Sequence, residues 1–509
     1  MERNEALEGA RKLLYEHFGY SSFRGAQETL IAAILAGRDA LGIMPTGAGK
    51  SICYQIPGLM LPGITLVVSP LISLMQDQVR ALKAAGIPGA YLNSSLSYKQ
   101  YLKALDNARR GMYKIIYVAP ERLVTSEFQS FASSIPISLV AVDEAHCVSQ
   151  WGHDFRPSYM NIAPFVNSLP RRPVLAAFTA TATPAVREDI LGHLCLQNPE
   201  VAVTGFDREN LFFQVMKPTD KKSALLEFIA QHREESGIVY CATRKSVEKV
   251  TELLRDNGIA AARYHAGLEE EERRDGQTAF LYDKVKVMVA TNAFGMGIDK
   301  QNVGYVVHYN MPKNMEAYYQ EAGRAGRDGS KAQCLLLYGP GDVHTAEFFI
   351  NNSTENNEGG PQAAAQRRKI EFDKLEQMKR YCFTSGCLRH YILDYFGESS
   401  QERCGNCGNC RARQNIAAAL KVPLKTPQKT ERSLYEMLKS VRLDFAEKAG
   451  LPPELIFTDR SLQAMAVTKP QNEHDMMEIP GVSPVKYQMY GKTFLRVIQR
   501  NSDRRSGVE

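Results

Sequence analysis

At 509 residues and 56.8 kDa the chain is too long for one compact core, and its length corresponds to roughly three or four domains. Hydrophobic residues at 44% and charged residues at 23% exclude wholesale disorder; no window reaches the roughly 18 apolar residues of a membrane helix, and the opening Met-Glu-Arg-Asn-Glu is no secretory leader, so a cytosolic protein is expected. Sixty-two basic against 56 acidic residues leave +6, too mild to indicate a nucleic-acid partner, but residues 361–425 alone hold 12 Lys+Arg and 6 Asp+Glu and so carry the whole excess.

In chain order, short continuous apolar runs predict strands at 40–44, 65–69, 114–118, 139–142 and 174–178, then at 237–241, 261–265, 286–290, 305–309 and 333–338. Helical stretches such as 72–85 and 246–257 separate them. The alternation predicts an α/β protein with two tandem parallel-sheet domains, divided near 204–220. The strand pattern stops after Tyr338. Residues 351–361 (NNSTENNEGGP) read as a loop, a basic helical stretch follows, and 422–430 (VPLKTPQKT) is a Pro-containing linker. From Glu431 to about Arg500 helical periodicity returns, interrupted at Pro452-Pro453, Pro470 and Pro480-Gly481, which predicts a small helical domain.

Met44-Pro-Thr-Gly-Ala-Gly-Lys-Ser51 lies between a predicted strand and a predicted helix, the context a phosphate-binding loop needs. Gly47 and Gly49 let backbone N–H groups face phosphate oxygens, Lys50 brings charge to the β/γ-phosphates, and the Ser51 hydroxyl can ligate Mg²⁺. The strict pattern has Gly where this chain has Met44. The run 137–142 ends in Asp143-Glu144-Ala145-His146, two acids at the carboxyl edge of a parallel sheet: Asp143 can hold Mg²⁺ through water and Glu144 can orient or deprotonate an attacking water. Arg324 and Arg327, three residues apart, fall on one side of a helix start, which suits an anion site better than a bare basic turn. Trp151 is the chain's one tryptophan; its neighbours Gly152, His153, Phe155 and Arg156 suit an exposed aromatic that stacks on unpaired bases rather than a core plug.

Of ten cysteines, Cys387-x16-Cys404-x2-Cys407-x2-Cys410 has the spacing of a closed tetrahedral Zn²⁺ site, structural rather than catalytic. Cys382 falls outside the pattern as a structural residue, and Cys53, Cys147, Cys195, Cys241 and Cys334 read as small buried hydrophobes. Arg389, Arg403, Arg411 and Arg413 around the cluster offer either a phosphate-contacting surface or a solvated face.

Together these motifs resemble the superfamily 2 helicases, and more closely the RecQ family of DNA helicases of bacterial type, over about residues 15 to 415 and again after the linker. The resemblance is carried by Phe18-Gly-Tyr-Ser-Ser-Phe-Arg-Gly-Ala-Gln27, the Met-Pro-Thr-Gly start of the phosphate loop, Ser69-Pro-Leu-Ile-Ser-Leu-Met-Gln-Asp-Gln78, Ala119-Pro-Glu-Arg122 and Thr179-Ala-Thr-Ala182. Tyr240-Cys-Ala-Thr-Arg244, Ala290-Thr-Asn-Ala-Phe-Gly-Met-Gly-Ile-Asp299 and Tyr319-Gln-Glu-Ala-Gly-Arg-Ala-Gly-Arg-Asp328 carry it through the second domain. It implies two RecA-like lobes at 1–205 and 206–340, a helical zinc-binding domain at 341–415, a linker at 416–430 and an all-α HRDC-like domain at 431–505. By the same resemblance Tyr20, Arg24 and Gln27 hold the adenine of ATP, and Thr46, Gly47, Ala48, Gly49, Lys50 and Ser51 hold its phosphates, with Mg²⁺ on Ser51 and Asp143. The motifs at 69–78 and 119–122 grip the DNA backbone. The motif at 179–182 couples hydrolysis to DNA binding. Gln320, Arg324 and Arg327 line the interdomain cleft, with Arg327 as arginine finger. Trp151, His153, Phe155 and Arg156 belong to the aromatic-rich loop that meets DNA.

The implied activity is ATP-dependent 3′–5′ translocation on single-stranded DNA and duplex unwinding in recombination and repair, by a nucleoid-associated monomer working with single-strand-binding or recombination proteins. An RNA helicase, a duplex translocase without unwinding and a non-catalytic scaffold are the competing readings. The aromatic loop and zinc spacing favour DNA, and the intact Lys50, Ser51, Asp143, Glu144, Arg324 and Arg327 argue against a scaffold. The roughly 20 residues between Cys410 and Glu431 cannot hold the winged helix that follows the zinc domain in longer family members. The HRDC-like segment carries 13 Lys+Arg and 11 Asp+Glu from Gln428 to Glu509, so its charge does not establish DNA binding, and a protein-contact or packing module is the alternative.

Overall fold

The computed structural model describes residues 3–18, 20, 22–152, 154–295, 300, 302–352, 360–419, 429–449, 456–457, 459–479, 482 and 487–506. They divide into two compact units, Met1–Gly408 and Asn409–Glu509, the division falling on the first turn of helix Gly408–Ala419. Among them no helix is long and apolar enough to cross a membrane.

The first unit is built on two all-parallel sheets. One runs β3 (Gly89–Leu92), β4 (Ile115–Val118), β2 (Ile64–Val68), β5 (Ile137–Val142), β6 (Val174–Thr179), β1 (Ala40–Ile43), β7 (Glu200–Val203). The other runs β10 (Ala261–Tyr264), β11 (Val287–Ala290), β9 (Ser236–Tyr240), β12 (Val303–His308), β13 (Ala332–Leu337), β8 (Leu211–Met216). The strands β1, β2, β4 and β9 are buried at every residue and are apolar throughout except for Thr65 in β2 and Ser236 in β9, as suits strands covered on both faces. The helices at 72–85 and 246–257 appear as Ile72–Ala84 and Arg244–Asp256.

Three strands escape the search for continuous apolar runs. β3, β7 and β8 are sheet edges with interrupted burial, so their sequences mix polar and apolar residues. The change of sheet falls inside 204–220, where a break between domains is expected: the first sheet ends with β7 at Val203, and β8 opens the second as its edge strand, paired to β13 from Leu211 to Met216. The loop expected at 351–361 is helical at both ends, in Pro340–Asn352 and Gly360–Phe383; residues 353–359 lie outside the described residues.

Helices Gly360–Phe383 and Leu388–Tyr395 follow the second sheet and close on the junction between the two sheets. Phe396 stacks on Phe206 with ring centroids 4.5 Å apart, Tyr319 donates to the Phe206 carbonyl at 2.7 Å, and Glu398 accepts from the Phe206 N–H. Arg389, expected on either a phosphate-contacting surface or a solvated face, is on neither and is buried here: it pairs with Asp207 and donates to the carbonyls of Arg208 and Leu211. A guanidinium so enclosed holds the chain between the sheets and is unavailable to phosphate. Arg403, Arg411 and Arg413 are exposed. Cys195 is also exposed, a correction to its expected burial, since it sits past helix Pro184–His193 in left-handed backbone (φ 51°) rather than in a strand or helix face.

The second unit contains helices Lys429–Ala449, Asp459–Thr468, Glu473–Met477 and Lys492–Ser506 around an apolar core that includes Leu434, Leu438, Phe457, Met465, Phe494 and Ile498. Arg442 is buried in it and donates to the Phe457 carbonyl at 2.9 Å. The linker residues 420–428 and Pro452-Pro453 lie outside the described residues.

Candidate active site

Strand order brings the phosphate loop, the acidic box and the Thr179 motif together. β5, β6 and β1 are neighbours, with Ile43 in register with Thr179 and Val142 with Ala177, so three segments distant in sequence end at one edge. Gly47 and Gly49 take φ of 82° and 76°, the left-handed backbone a phosphate cradle needs, and helix Ile52–Met60 follows. Gln27 braces this loop: its amide donates to the carbonyls of Ala48 (3.0 Å) and Gly49 (3.2 Å) and accepts from the Arg24 N–H. Arg24 lies 5.3 Å from the ring centroid of the half-exposed Tyr20, so the three expected adenine contacts form one chain of neighbours, of which Gln27 touches the loop.

Lys50 is enclosed, with Nζ 3.2 Å from the Met44 carbonyl; burial lowers its pKa while Glu144 and Asp143 hold it up. Burial, and then the Glu144 charge, push Asp143 up to about 7 against the pull of Lys50. Two carboxylates facing one ammonium leave a negative surplus made of hard oxygen donors, a set that fits Mg²⁺. Glu144 adopts φ 49°, a left-handed backbone uncommon outside glycine, which turns its carboxylate to within 3.4 Å of His146 Nδ1. His146 Nδ1 is also 2.8 Å from Thr179 Oγ1, which in turn donates to the Thr181 carbonyl, so the acidic box and the Thr179 motif form one buried hydrogen-bonded path. Burial keeps the imidazole pKa low.

The second sheet reaches into the same place. Thr46 Oγ1 donates to the Gly323 carbonyl at 2.9 Å, and a Cβ on Gly47 would stand 3.5 Å from Arg327 Cγ. Arg327 thus lies against the phosphate loop. Gln320 is on helix Met315–Ala322, but Arg324 and Arg327 follow that helix's end instead of beginning one; the chain turns through Gly323 and Gly326. Gln320 and Arg324 line a cleft of about 850 Å³ that Phe155 and Arg156 also line. Arg208, unnoticed in the sequence, spans the junction: its guanidinium donates to the carbonyls of Gly323 (3.1 Å), Ala325 (2.9 Å) and Gly326 (2.7 Å) and reaches the Thr46 carbonyl at 3.5 Å. It stands in Phe206-Asp-Arg-Glu-Asn210, a polar stretch with no periodicity to mark it.

The aromatic loop follows directly from the acidic box. Trp151 is 44% exposed, as its polar neighbours predict, and its N–H donates to Ser149 Oγ, itself bonded to Asp189. Phe155 is part-buried, Arg156 bonds Asp154 and the Pro70 carbonyl, and His153 lies outside the described residues.

The Sγ atoms of Cys387, Cys404, Cys407 and Cys410 lie within 4.8 Å of one another, with Cys387 and Cys407 at 3.9 Å. Tetrahedral Zn²⁺ with Zn–S bonds of about 2.3 Å needs sulfur atoms about 3.8 Å apart, so the donor set fits the metal. Backbone N–H groups of His390 and Asn406 point at Cys387 and Cys404, favouring thiolates. Cys407 also bridges to Phe213 on β8, so the cluster covers part of that strand's open edge.

Four stretches match protein-family profiles: DEAD/DEAH box helicase at 24–190, helicase conserved C-terminal domain at 220–329, RecQ zinc-binding at 340–411 and HRDC domain at 431–498. The chain is 39% identical to the ATP-dependent DNA helicase RecQ of Bacillus subtilis (strain 168), covering 97% of this chain and 99% of that protein. It is 34% identical to the ATP-dependent DNA helicase RecQ of Pasteurella multocida (strain Pm70), covering 97% and 94%. The alignment with the Bacillus protein runs over 592 positions against 509 residues here, so at least 83 of them have no counterpart in this chain. Among solved structures, S. cerevisiae Dbp5 bound to RNA and ADP BeF3 superposes with a TM-score of 0.56 at 19% identity, covering 73% of this chain and 99% of that one, which bears on the fold alone. Two RecA-like lobes, a cysteine cluster with zinc geometry, a helical C-terminal unit and 34–39% identity over 97% of the chain converge: the chain belongs to the RecQ family of ATP-dependent DNA helicases.

Proposed function

We propose that this protein is an ATP-dependent DNA helicase that moves 3′ to 5′ on single-stranded DNA and unwinds duplexes in recombination and repair. The observation that carries the reading is the meeting of Lys50, Asp143, Glu144 and Arg327 at one junction between two RecA-like lobes. Lys50 and the backbone from Thr46 to Ser51 hold the triphosphate, Gln27, Arg24 and Tyr20 its adenine. Ser51 and Asp143 hold Mg²⁺, which supplies charge neutralisation on the phosphates. Glu144 orients or deprotonates the attacking water, Arg327 meets the charge that develops on the γ-phosphate, and Gln320 and Arg324 complete the wall of the cleft. Closure on ATP and opening after hydrolysis change each lobe's grip on a strand, which gives directed movement.

The lobes are assigned to 1–205 and 206–340, the zinc module to 341–415, a linker to 416–430 and the HRDC domain to 431–505. Trp151, with His153, Phe155 and Arg156, meets DNA bases and reports their presence to the acidic box; its exposure and its place just after His146 support this role. The Zn²⁺ ion holds the module's fold. A cytoplasmic, nucleoid-associated monomer acting with single-strand-binding or recombination proteins completes the reading.

Strand separation across 3′-tailed, 5′-tailed, forked and four-way DNA, with matched RNA duplexes, tests it. ATP-dependent opening of 3′-tailed and forked DNA, lost in Lys50→Ala, is expected; unwinding by Lys50→Ala, or a preference for RNA, would overturn it.

A further inference from the structure

The aromatic loop is held from outside its own lobe. Lys374, on helix Gly360–Phe383 of the zinc module, is 7% exposed and donates from Nζ to the Gly152 carbonyl at 2.6 Å. Its nearest acidic partner is Glu316, 3% exposed, at 3.8 Å. Glu316 stands in the first turn of helix Met315–Ala322, one turn before Gln320 on the same face. Tyr395 of the zinc module faces the same carboxylate: burial and the Glu316 charge raise its hydroxyl pKa. One buried ion pair therefore touches three parts of the molecule. Gly152 is the neighbour of Trp151 and belongs to the first lobe; Glu316 is on the second-lobe helix that lines the cleft; Lys374 is on the zinc module.

Gly152 is suited to receive this contact. A Cβ there would fall 2.3 Å from the His146 carbonyl and 2.9 Å from that of Ser149, so the backbone is folded tightly onto the turn after the acidic box. The Gly152 backbone is packed directly on His146, whose ring contacts Glu144 and Thr179. A long-range contact of 222 residues, made by a buried charge on a glycine carbonyl, costs desolvation that a neutral side chain would avoid.

We propose that Lys374, set by Glu316, is a positioning residue that fixes the aromatic loop against the second lobe and so couples DNA contact at Trp151 to the ATP site. The inference rests on the coupling role proposed above for Trp151.

Its test uses the full chain and the single tryptophan, whose fluorescence reports Trp151 alone. For Lys374→Met, Lys374→Arg and Glu316→Gln, the measurements are zinc content, thermal unfolding, the ratio of oligo-dT-stimulated to DNA-free ATPase, and Trp emission with and without oligo-dT. In zinc-replete, folded Lys374→Met the stimulation ratio is expected to fall about tenfold, within the reach of a coupling residue. The DNA-free emission of Trp151 should shift as well, and Lys374→Arg should recover both. A wild-type ratio and emission in folded Lys374→Met overturn the proposal. Should Lys374→Met fail to fold, the isosteric Glu316→Gln decides, a fallen ratio supporting the proposal and an unchanged one overturning it. Trp151→Ala separates the two levels: full stimulation in that variant removes the coupling reading itself, whereas lost stimulation there with a normal Lys374→Met removes only the role of Lys374.

Discussion

Arg327, in the turn after helix Met315–Ala322, and Arg208, in the segment before β8, approach the phosphate loop by different means. Arg327 stands with its side chain against Gly47, while Arg208 spends its hydrogen bonds on four carbonyls that shape the turn and the loop. A charge placed at the γ-phosphate acts in the transition state, so Arg327→Ala is expected to lower kcat for ATP by about 10³-fold or more with little change in nucleotide affinity. Single-turnover hydrolysis together with a nucleotide-binding titration checks this; a kcat within a few fold of wild type would remove the finger role. The residues legible in the sequence are those whose chemistry is local. Lys50 and Ser51 sit in an eight-residue motif, and Asp143 and Glu144 end an apolar run. Arg208 and Lys374 act at separations of 115 and 222 residues and leave no periodicity or spacing behind.

At the scale of elements, legibility follows burial. β1, β2 and β4 are covered on both faces and announce themselves as unbroken apolar runs. β8 reads Leu-Phe-Phe-Gln-Val-Met, is buried only at Leu211 and Phe213, and lies within the range where the break between domains is expected. Its edge is not left open, since Cys407 bridges to Phe213 and Asn406 donates to the Glu209 carbonyl just before it. The zinc cluster is therefore a cap on the second sheet as well as the core of its own module. Cys407→Ser is expected to abolish binding of about one Zn²⁺ per chain, because three thiolates leave the tetrahedral site open. The same variant should lower the thermal midpoint and raise amide exchange along β8. Metal analysis with hydrogen exchange checks this, and protected β8 amides in zinc-free protein would contradict it.

For the whole molecule, the short stretch after Cys410 bears on where strand separation resides. Helix Gly408–Ala419 runs into the residues expected to link the units, and the next match begins at residue 431, which leaves 412–430 between the two matched stretches. A winged helix has no room there. Strand separation should then reside in residues 1–415. Unwinding of a 3′-tailed duplex by that fragment is expected to stay within about tenfold of the full chain, a difference of about 1.4 kcal/mol in the barrier. An inactive fragment that still binds zinc and hydrolyses ATP would place an essential step in the HRDC domain.

The junction around Phe206–Leu211 has a mechanical meaning. Toward the ATP site it is bonded through Arg208 to the turn at Gly323–Gly326 and the Thr46 carbonyl; toward the zinc module it is bonded through Arg389, Glu398 and the stacked Phe396. Only the first set includes a bond from the phosphate loop to the opposite lobe. The zinc module is thus fastened to the segment that joins the two sheets by contacts separate from those that reach the phosphate loop.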